Sequence, residues 1–459
     1  MAQENKMGVM PVGRLLVTMA LPMIASMLVQ ALYNIVDSIF VAMISEEAFT
    51  AVSIAFTIQN LMMAVASGLG VGINALLSRS LGQRDFKTVN RAATNGIFLE
   101  AIGCIIFIIM GLVIVEPFYT AQAGSGANAA DIIGYGKQYL TIVLIMCFGV
   151  FGQVTFERLL QATGKTMFTM TTQGTGAIIN LILDPIFIFV FNWGVAGAAL
   201  ATVAGQCVAA VMAMVFNVKK NDEVDLSFKA FRPHKNTIGQ ILKVGVPSTI
   251  MISIGSVMTF CMNKILVAFS STAVAVFGAY FKLNSFIMMP LFGMNNSLVP
   301  IVSYNYGAGR KDRMIKAIKL GLIYAFSLMV IGMLIFQFIP GQLLSFFNAS
   351  PQMLEIGMPA LRIISISFPV ASFCIIFSSV FQAVGNGVYS MITSFARQLV
   401  ALVPSAYFIA RAINFDINKI NYVWYSYNIA EVVSIAISVI LFVNLYKTKI
   451  KTIKPPENI

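Results

Sequence analysis

Charge is what this chain of 459 residues has least of. Only 10% of its residues are Asp, Glu, Lys or Arg, well under half the share a soluble domain uses to cover its surface. A soluble globular protein of this size is therefore excluded. There is one histidine, His234, in the most polar stretch of the sequence, which removes most imidazole-based metal and acid–base chemistry. Five cysteines (Cys104, Cys147, Cys207, Cys261 and Cys374) stand inside apolar runs without a CxxC pair. They are expected to be small core residues, not disulfides or thiolate ligands. The sequence has no GxxxxGK[ST] loop, so direct nucleotide drive is not expected. It also lacks a nucleophile–base set for a membrane-embedded enzyme and a filter-like loop for an ion channel.

Apolar length is what the chain does have: 58% hydrophobic residues and a mean hydropathy of +0.85. The first apolar run, residues 15–43, is too long for a signal-peptide core and has no clear cleavage site, so it reads as a retained span. Twelve runs are long enough to cross a bilayer as helix: 15–42, 51–78, 92–115, 138–161, 166–191, 194–217, 240–269, 272–303, 315–339, 356–384, 388–412 and 421–446. They are spans 1 to 12 below. The expected fold class is all-α, a polytopic membrane protein; a membrane barrel would show shorter, alternating segments.

The net charge of +12 does not point to nucleic acid, because of where the basic residues fall. If the N-terminus is cytoplasmic, 23 of the 30 Lys and Arg lie in cytoplasmic segments, Lys229 and Lys454 among them. Four lie outside (Lys137, Arg362, Arg411, Lys419) and three within spans (Lys264, Lys282, Arg397). That asymmetry predicts a multi-pass protein of the cell membrane with both termini cytoplasmic and the bilayer as its surroundings.

The chain repeats itself. "ALPMIAS" (20–26) resembles "GVPSTIM" (245–251), and "SRSLGQRD" (78–85) falls opposite "SYNYGAGR" (303–310), both offset by 225 residues; "QATGK" (161–165) matches "QAVGN" (382–386) at 221. The expected division is an N-terminal six-helix lobe over 1–217, a cytoplasmic linker over 218–236 and a C-terminal six-helix lobe over 237–459. Six spans is an even number, so both lobes enter the membrane from the same side and the repeat is parallel. Substrate is then expected between the lobes near mid-membrane, with access alternating as they rock.

Ionisable residues inside a span cost roughly 2.5–3.5 kcal/mol on insertion scales. Asp37 in span 1 and Asp184 in span 5 are the clearest cases. Asn180 lies one turn before Asp184, and Pro185 leaves the Leu181 carbonyl without its helical N–H. A carboxylate, an amide and a loose carbonyl are hard oxygen ligands, suited to a small cation or a shared proton. Ser26, Gln30, Asn34 and Asp37 follow one another on one face of span 1; Ala198, Thr202 and Gln206 repeat every four residues in span 6. Gln30, Asn34, Gln206, Met258, Lys282 and Met289 are the expected substrate-cavity residues. Span 7 offers Ser256, Thr259 and Asn263 but no carboxylate. Glu100, Glu157 and Glu431 lie nearer span ends and are expected to reach water.

Taken with "NLILDPIFIF" in span 5, "KLNSFIMMPLFGMNNSLVPIVSYNYGAGR" across span 8 and "QAVGN", span 1 ("LPMIASMLVQALYNIVDSIFVA") resembles the multidrug and toxic compound extrusion (MATE) family over almost the whole chain. The lack of an acid in span 7 is similar to the DinF-like branch with its MepA-like drug exporters. The resemblance implies twelve helices in two pseudo-symmetric lobes and export of cationic small molecules by a monomer. Inward flow of H⁺ or Na⁺ would drive it, with no other cofactor. It also implies a coupling site at Asp37, Asn180, Asp184 and Thr202, with a carbonyl from Ala198; these would be the Na⁺ ligands of a sodium-coupled exporter. Burial favours the neutral form of a carboxyl, so Asp37 or Asp184 is expected to load a proton from outside and alter helix packing near Pro185. A flippase for lipid-linked saccharides on a similar scaffold is the rival; its cavity should be lined by cations, not by two acids.

Overall fold

The computed structural model describes residues 4–122, 128–227, 231–347 and 349–453. Lys229, Lys454 and residues 228–230 of the linker lie outside the described residues. Among those described there is helix and no strand. Ten helices are long and apolar enough to cross a membrane, and two bent pairs complete twelve spans. Spans 2 and 8, Glu46–Gly82 and Ser271–Gly307, have 37 residues each. At 1.5 Å per residue they reach about 55 Å, well past a hydrocarbon core of about 30 Å.

Spans 4 and 10, expected as single runs, are each broken. Ala129–Ile145 meets Phe148–Ala162 at 43°, and Pro351–Ser365 meets Phe368–Ala383 at 50°. In span 10 the second piece begins on Phe368-Pro369, and a proline at a helix start has no N–H to continue the helix before it. In span 4 the break falls beside Gly149, whose missing Cβ leaves room for Cys207 of span 6. Cys104 and Cys147 meet at that break, Sγ to Sγ 3.3 Å, both as free thiols.

The repeat extends to single residues. Ser45 and Ser270, 225 positions apart, cap the starts of spans 2 and 8 by accepting the N–H groups of Ala48 and Ala273. Ser78 donates to the Ala162 carbonyl at 2.9 Å, and Ser303 to that of Ala383 at 3.0 Å. Gly164 and Gly385 turn the chain at φ 82° and 81°, a conformation that excludes most side chains.

Span 2 packs along span 7, and span 8 along span 1. A Cβ on Gly68 would stand 2.6 Å from the Thr249 nitrogen, and one on its counterpart Gly293 2.7 Å from the Ile24 nitrogen. A Cβ on Gly72 would stand 2.3 Å from the Ile241 oxygen. At the span ends the contact is reciprocal: Gly82 meets the Tyr304 oxygen and Gly307 the Arg79 oxygen, each Cβ position 2.0 Å away. All these approaches lie in the half of the bundle that holds the starts of spans 1 and 7 and the ends of spans 2 and 8. In the other half, Gly278 of span 8 meets nothing within 4 Å. The lobes are thus zipped at one face. The outer surface of the bundle is apolar, with Leu112, Val190 and Val432 each about two-thirds exposed or more, as suits helices set in lipid.

Glu100, Glu157 and Glu431, expected to reach water at span ends, are instead buried. Helices that continue past the expected limits, and the bend in span 4, carry them inward. Glu431 is paired with Arg397 of span 11 at 2.9 Å. Arg397 is partly exposed, 29% against 9% for Glu431, so removing it costs less than the roughly 3–5 kcal/mol of a fully buried pair but still leaves the Glu431 charge uncompensated. Arg397→Met is therefore expected to lower the unfolding midpoint in detergent by several degrees, and the double substitution Arg397→Met/Glu431→Leu to recover most of the loss. Equal midpoints for Arg397→Met and the native chain would show that the pair contributes nothing.

Candidate cation site and substrate cavity

A cavity of about 310 Å³ opens inside the first lobe, at the lower end of the size range of small-molecule sites. Every lining residue comes from spans 1 to 6 except Asn296 of span 8. Gln30, Asn34 and Asp37 face it from span 1, Asn180 from span 5, and Thr202 and Gln206 from span 6. Met258 is buried, Met289 partly so and Lys282 exposed, and these three do not line this cavity.

Asp184 lies just beneath the cavity wall and is fully buried; Asp37 is 7% exposed. The two carboxyls, from helices nearly 150 residues apart in sequence, are near enough to interact with each other. Asn180 ties the group together. Its Nδ2 donates to Asp184 Oδ1 and to Thr202 Oγ1, both at 3.3 Å. Span 5 is α-helix through Pro185, so Asn180 and Asp184 share a face one turn apart, and it continues as a wider five-residue turn over Ile186–Val190. Ala198 is buried one turn before Thr202.

Three oxygens in this group are buried and have no hydrogen-bond partner among the described residues: Asp37 Oδ1, Asn180 Oδ1 and Asp184 Oδ2. An orphaned buried acceptor costs about 1–3 kcal/mol, more if charged. Two carboxylates in contact cannot both carry charge without a positive ion between them. A proton shared by the pair satisfies the group; so does a small cation held by Asp37, Asn180, Asp184 and Thr202, whose oxygens are the hard ligands Na⁺ requires.

Above the acids the lining is amide- and ring-rich. Tyr139 accepts from Gln59 Nε2 at 3.3 Å, and Tyr33 and Phe56 stand beside them. Glu157 is a third acid on the wall, and it accepts from Gln153 at 3.1 Å, Thr172 at 2.9 Å and Gln173 at 2.6 Å. Arg158 bonds Gln161 at 2.9 Å and reaches across to Asn296 at 3.0 Å, so it ties the first lobe to the second. Sequence reasoning missed the span 2 wall, although Phe56, Gln59, Met63 and Ser67 lie at helical spacing and mark that face. It missed Glu157 because span 4 was expected to be straight.

The MatE family model matches residues 22–186 and 247–408, more than two-thirds of the chain, and the two segments begin 225 residues apart. The chain belongs to the MatE family. It is similar to "Multidrug export protein MepA" of Staphylococcus haemolyticus, with 25% identity over 384 residues covering 83% of this chain and 84% of that one. The protein of that name from Staphylococcus aureus strain MSSA476 is 25% identical over 382 residues, covering 82% and 83%. Among solved structures the fold matches an outward-facing multidrug resistance MATE family transporter, with a TM-score of 0.89, 24% identity and coverage of 97% and 99%. It also matches a transporter of the MOP superfamily from Pyrococcus furiosus, at 0.90 and 23%, covering 98% and 99%. These likenesses show a shared fold over nearly the whole chain. The acids of spans 1 and 5 sit within the first matched segment, at Asp37 and Asp184.

Proposed function

We propose that this membrane protein exports lipophilic cations from the cytoplasm in exchange for inward movement of H⁺ or Na⁺. The observation that carries the reading is the Asp37–Asp184 pair, buried under a polar cavity with three unpartnered oxygens. The relatives named as multidrug exporters support the substrate class. A cavity with acids and aromatic rings suits a flat cation better than an anionic saccharide carrier, although Arg158 also lines it.

In this reading both termini are cytoplasmic and the zipped face is the cytoplasmic one, so the conformation is outward-facing. A cation from outside, H⁺ on the pair or Na⁺ among Asp37, Asn180, Asp184 and Thr202, replaces the positive charge of the bound substrate and favours its release. Separation of the zipped face then exposes the pair inward, and the ion leaves to the cytoplasm. A membrane potential adds about 2.3 kcal/mol per charge per 100 mV. Only differential affinity between the two states makes this an exchange.

The test is efflux of a fluorescent lipophilic cation from vesicles containing the purified chain, with H⁺ and Na⁺ gradients imposed separately. One gradient is expected to drive efflux against the dye's own gradient. Absence of dye movement under both would overturn the exchange reading.

A further inference from the structure

At the zipped face a second cavity, about 240 Å³, lies between the lobes. Arg79 enters it from the end of span 2 in the first lobe. Lys243 of span 7 and Lys449 at the end of span 12 enter from the second. Among the described residues no carboxylate lines it. The hydrogen-bond partners of these cations are neutral: Arg79 donates to Gln240 Oε1 at 2.5 Å, and Lys449 to Asn386 Oδ1 at 2.5 Å and the Val384 carbonyl at 3.4 Å. The charged neighbours of Lys449 are Lys243 and Arg79. Among the described residues none of the three belongs to an ion pair.

The pseudo-symmetric position shows what is missing. Gly385 stands on the wall of this cleft, with Arg79 Nη1 3.3 Å from where its Cβ would be. Its counterpart Gly164 has Lys6 Cε at 3.0 Å and Met7 at 3.4 Å, from the N-terminal helix Lys6–Val9. That segment fills the space and brings acids with it. Glu4 pairs with Arg310 at 2.5 Å, and Asn5 joins Glu223 at 2.6 Å and the Thr163 carbonyl at 3.0 Å. On one side of the pseudo-twofold, cations face carboxylates. On the other, three cations face each other across a cavity.

Three close cations repel unless an anion stands among them, and the geometry of one guanidinium and two ammonium groups suits phosphate oxygens. We propose that this cleft binds a phosphate-bearing anion, from an anionic phospholipid headgroup or from soluble phosphate, and that the bound anion holds the two lobes together at this face. Arg79 belongs to one lobe and both lysines to the other, so the full site exists only while the face is closed. A ligand of that site stabilises the closed face by its differential affinity, and closure raises its affinity in return. Because Arg79 and Lys449 sit at span ends, a headgroup in the adjoining leaflet is within reach. The proposal does not depend on which cation drives transport.

The test uses the purified full-length chain in neutral detergent. Dioleoyl phosphatidylglycerol, dioleoyl phosphatidylcholine and inorganic phosphate are added in separate arms, followed by native mass spectrometry and thermal unfolding. Phosphatidylglycerol is expected to form a one-to-one adduct and raise the midpoint by several degrees, and phosphatidylcholine to do neither. A rise with inorganic phosphate alone supports the site and assigns its source as soluble. Arg79→Gln and, separately, Lys449→Gln are expected to weaken adduct formation about tenfold or more. Spin labels across the zipped face should report a larger closed fraction in phosphatidylglycerol than in phosphatidylcholine nanodiscs. Equal behaviour of all three additives, or an undiminished adduct in an Arg79→Gln/Lys243→Gln/Lys449→Gln chain that unfolds at the native midpoint, overturns the proposal.

Discussion

Asp184→Asn, and equally Asp37→Asn, is expected to reduce efflux of a lipophilic cation to the level of cells without the transporter, with an unchanged amount of protein in the membrane. The amide keeps the shape and one acceptor oxygen but cannot be ionised. With one acid gone, the remaining carboxyl no longer has a partner with which to share a proton, and the cation site loses one of its two negative charges. The pair acts as a unit, so the double substitution should be no worse than either single one. Loss through misfolding is distinguishable. Both carboxyls are buried, and an amide of the same size keeps the packing while removing an ionisable group from a buried site. The unfolding midpoint is therefore expected to hold or rise while transport is lost. Thr202→Val, which deletes one neutral oxygen next to Asn180, should act more mildly, with about a tenfold higher ion concentration needed for half-maximal efflux, the equivalent of about 1.4 kcal/mol. Wild-type efflux from either aspartate variant would remove the pair from the mechanism.

The spans, their number and the parallel repeat are legible in the sequence because hydropathy over some twenty residues averages out local detail. Single offsets in an apolar chain proved informative: Ser78 and Ser303, aligned on a short motif, make the same hydrogen bond in each lobe. The polar stripes of spans 1, 5 and 6 name residues on three helices, but periodicity gives a face and not a neighbour. That Asp37 lies near Asp184, at the wall of one cavity, depends on how spans 1 and 5 pack together, which no stripe encodes. Met258, Lys282 and Met289 were expected as cavity residues because substrate was placed between the lobes; among the described residues the cavity above draws on the second lobe through Asn296. Glu157 and Glu431 were assigned to water on distance along the sequence from the middle of a run. A bend of 43° in span 4 and an arginine on a neighbouring helix are long-range facts, and they reverse that assignment.

Gly82→Val and Gly307→Val are expected to open the zipped face and to lower transport at least tenfold. A Cβ at either position would stand 2.0 Å from a backbone oxygen of the opposite lobe, Tyr304 in one case and Arg79 in the other. A carbonyl inside a helix cannot swing aside as a side chain does, so the clash is relieved only by moving the two span ends apart. Overpacking of this kind costs typically about 1–3 kcal/mol or more, and each 1.4 kcal/mol changes the ratio of the two faces about tenfold. The lobes need to reach both arrangements in every cycle, so a chain that cannot close this face stalls. Spin labels at Gln83 and Ala308 should show longer, broader distances in either variant. Because the contact is reciprocal across the pseudo-twofold, the two substitutions should shift the distribution to a similar degree. Gly278→Val, on the same span 8 but facing open space, should leave both distance and transport unchanged. If Gly82→Val transports normally and keeps the native label distance, the glycine contact is not what holds the face shut, and closure would have to be assigned to the polar contacts around Arg79 and Arg310.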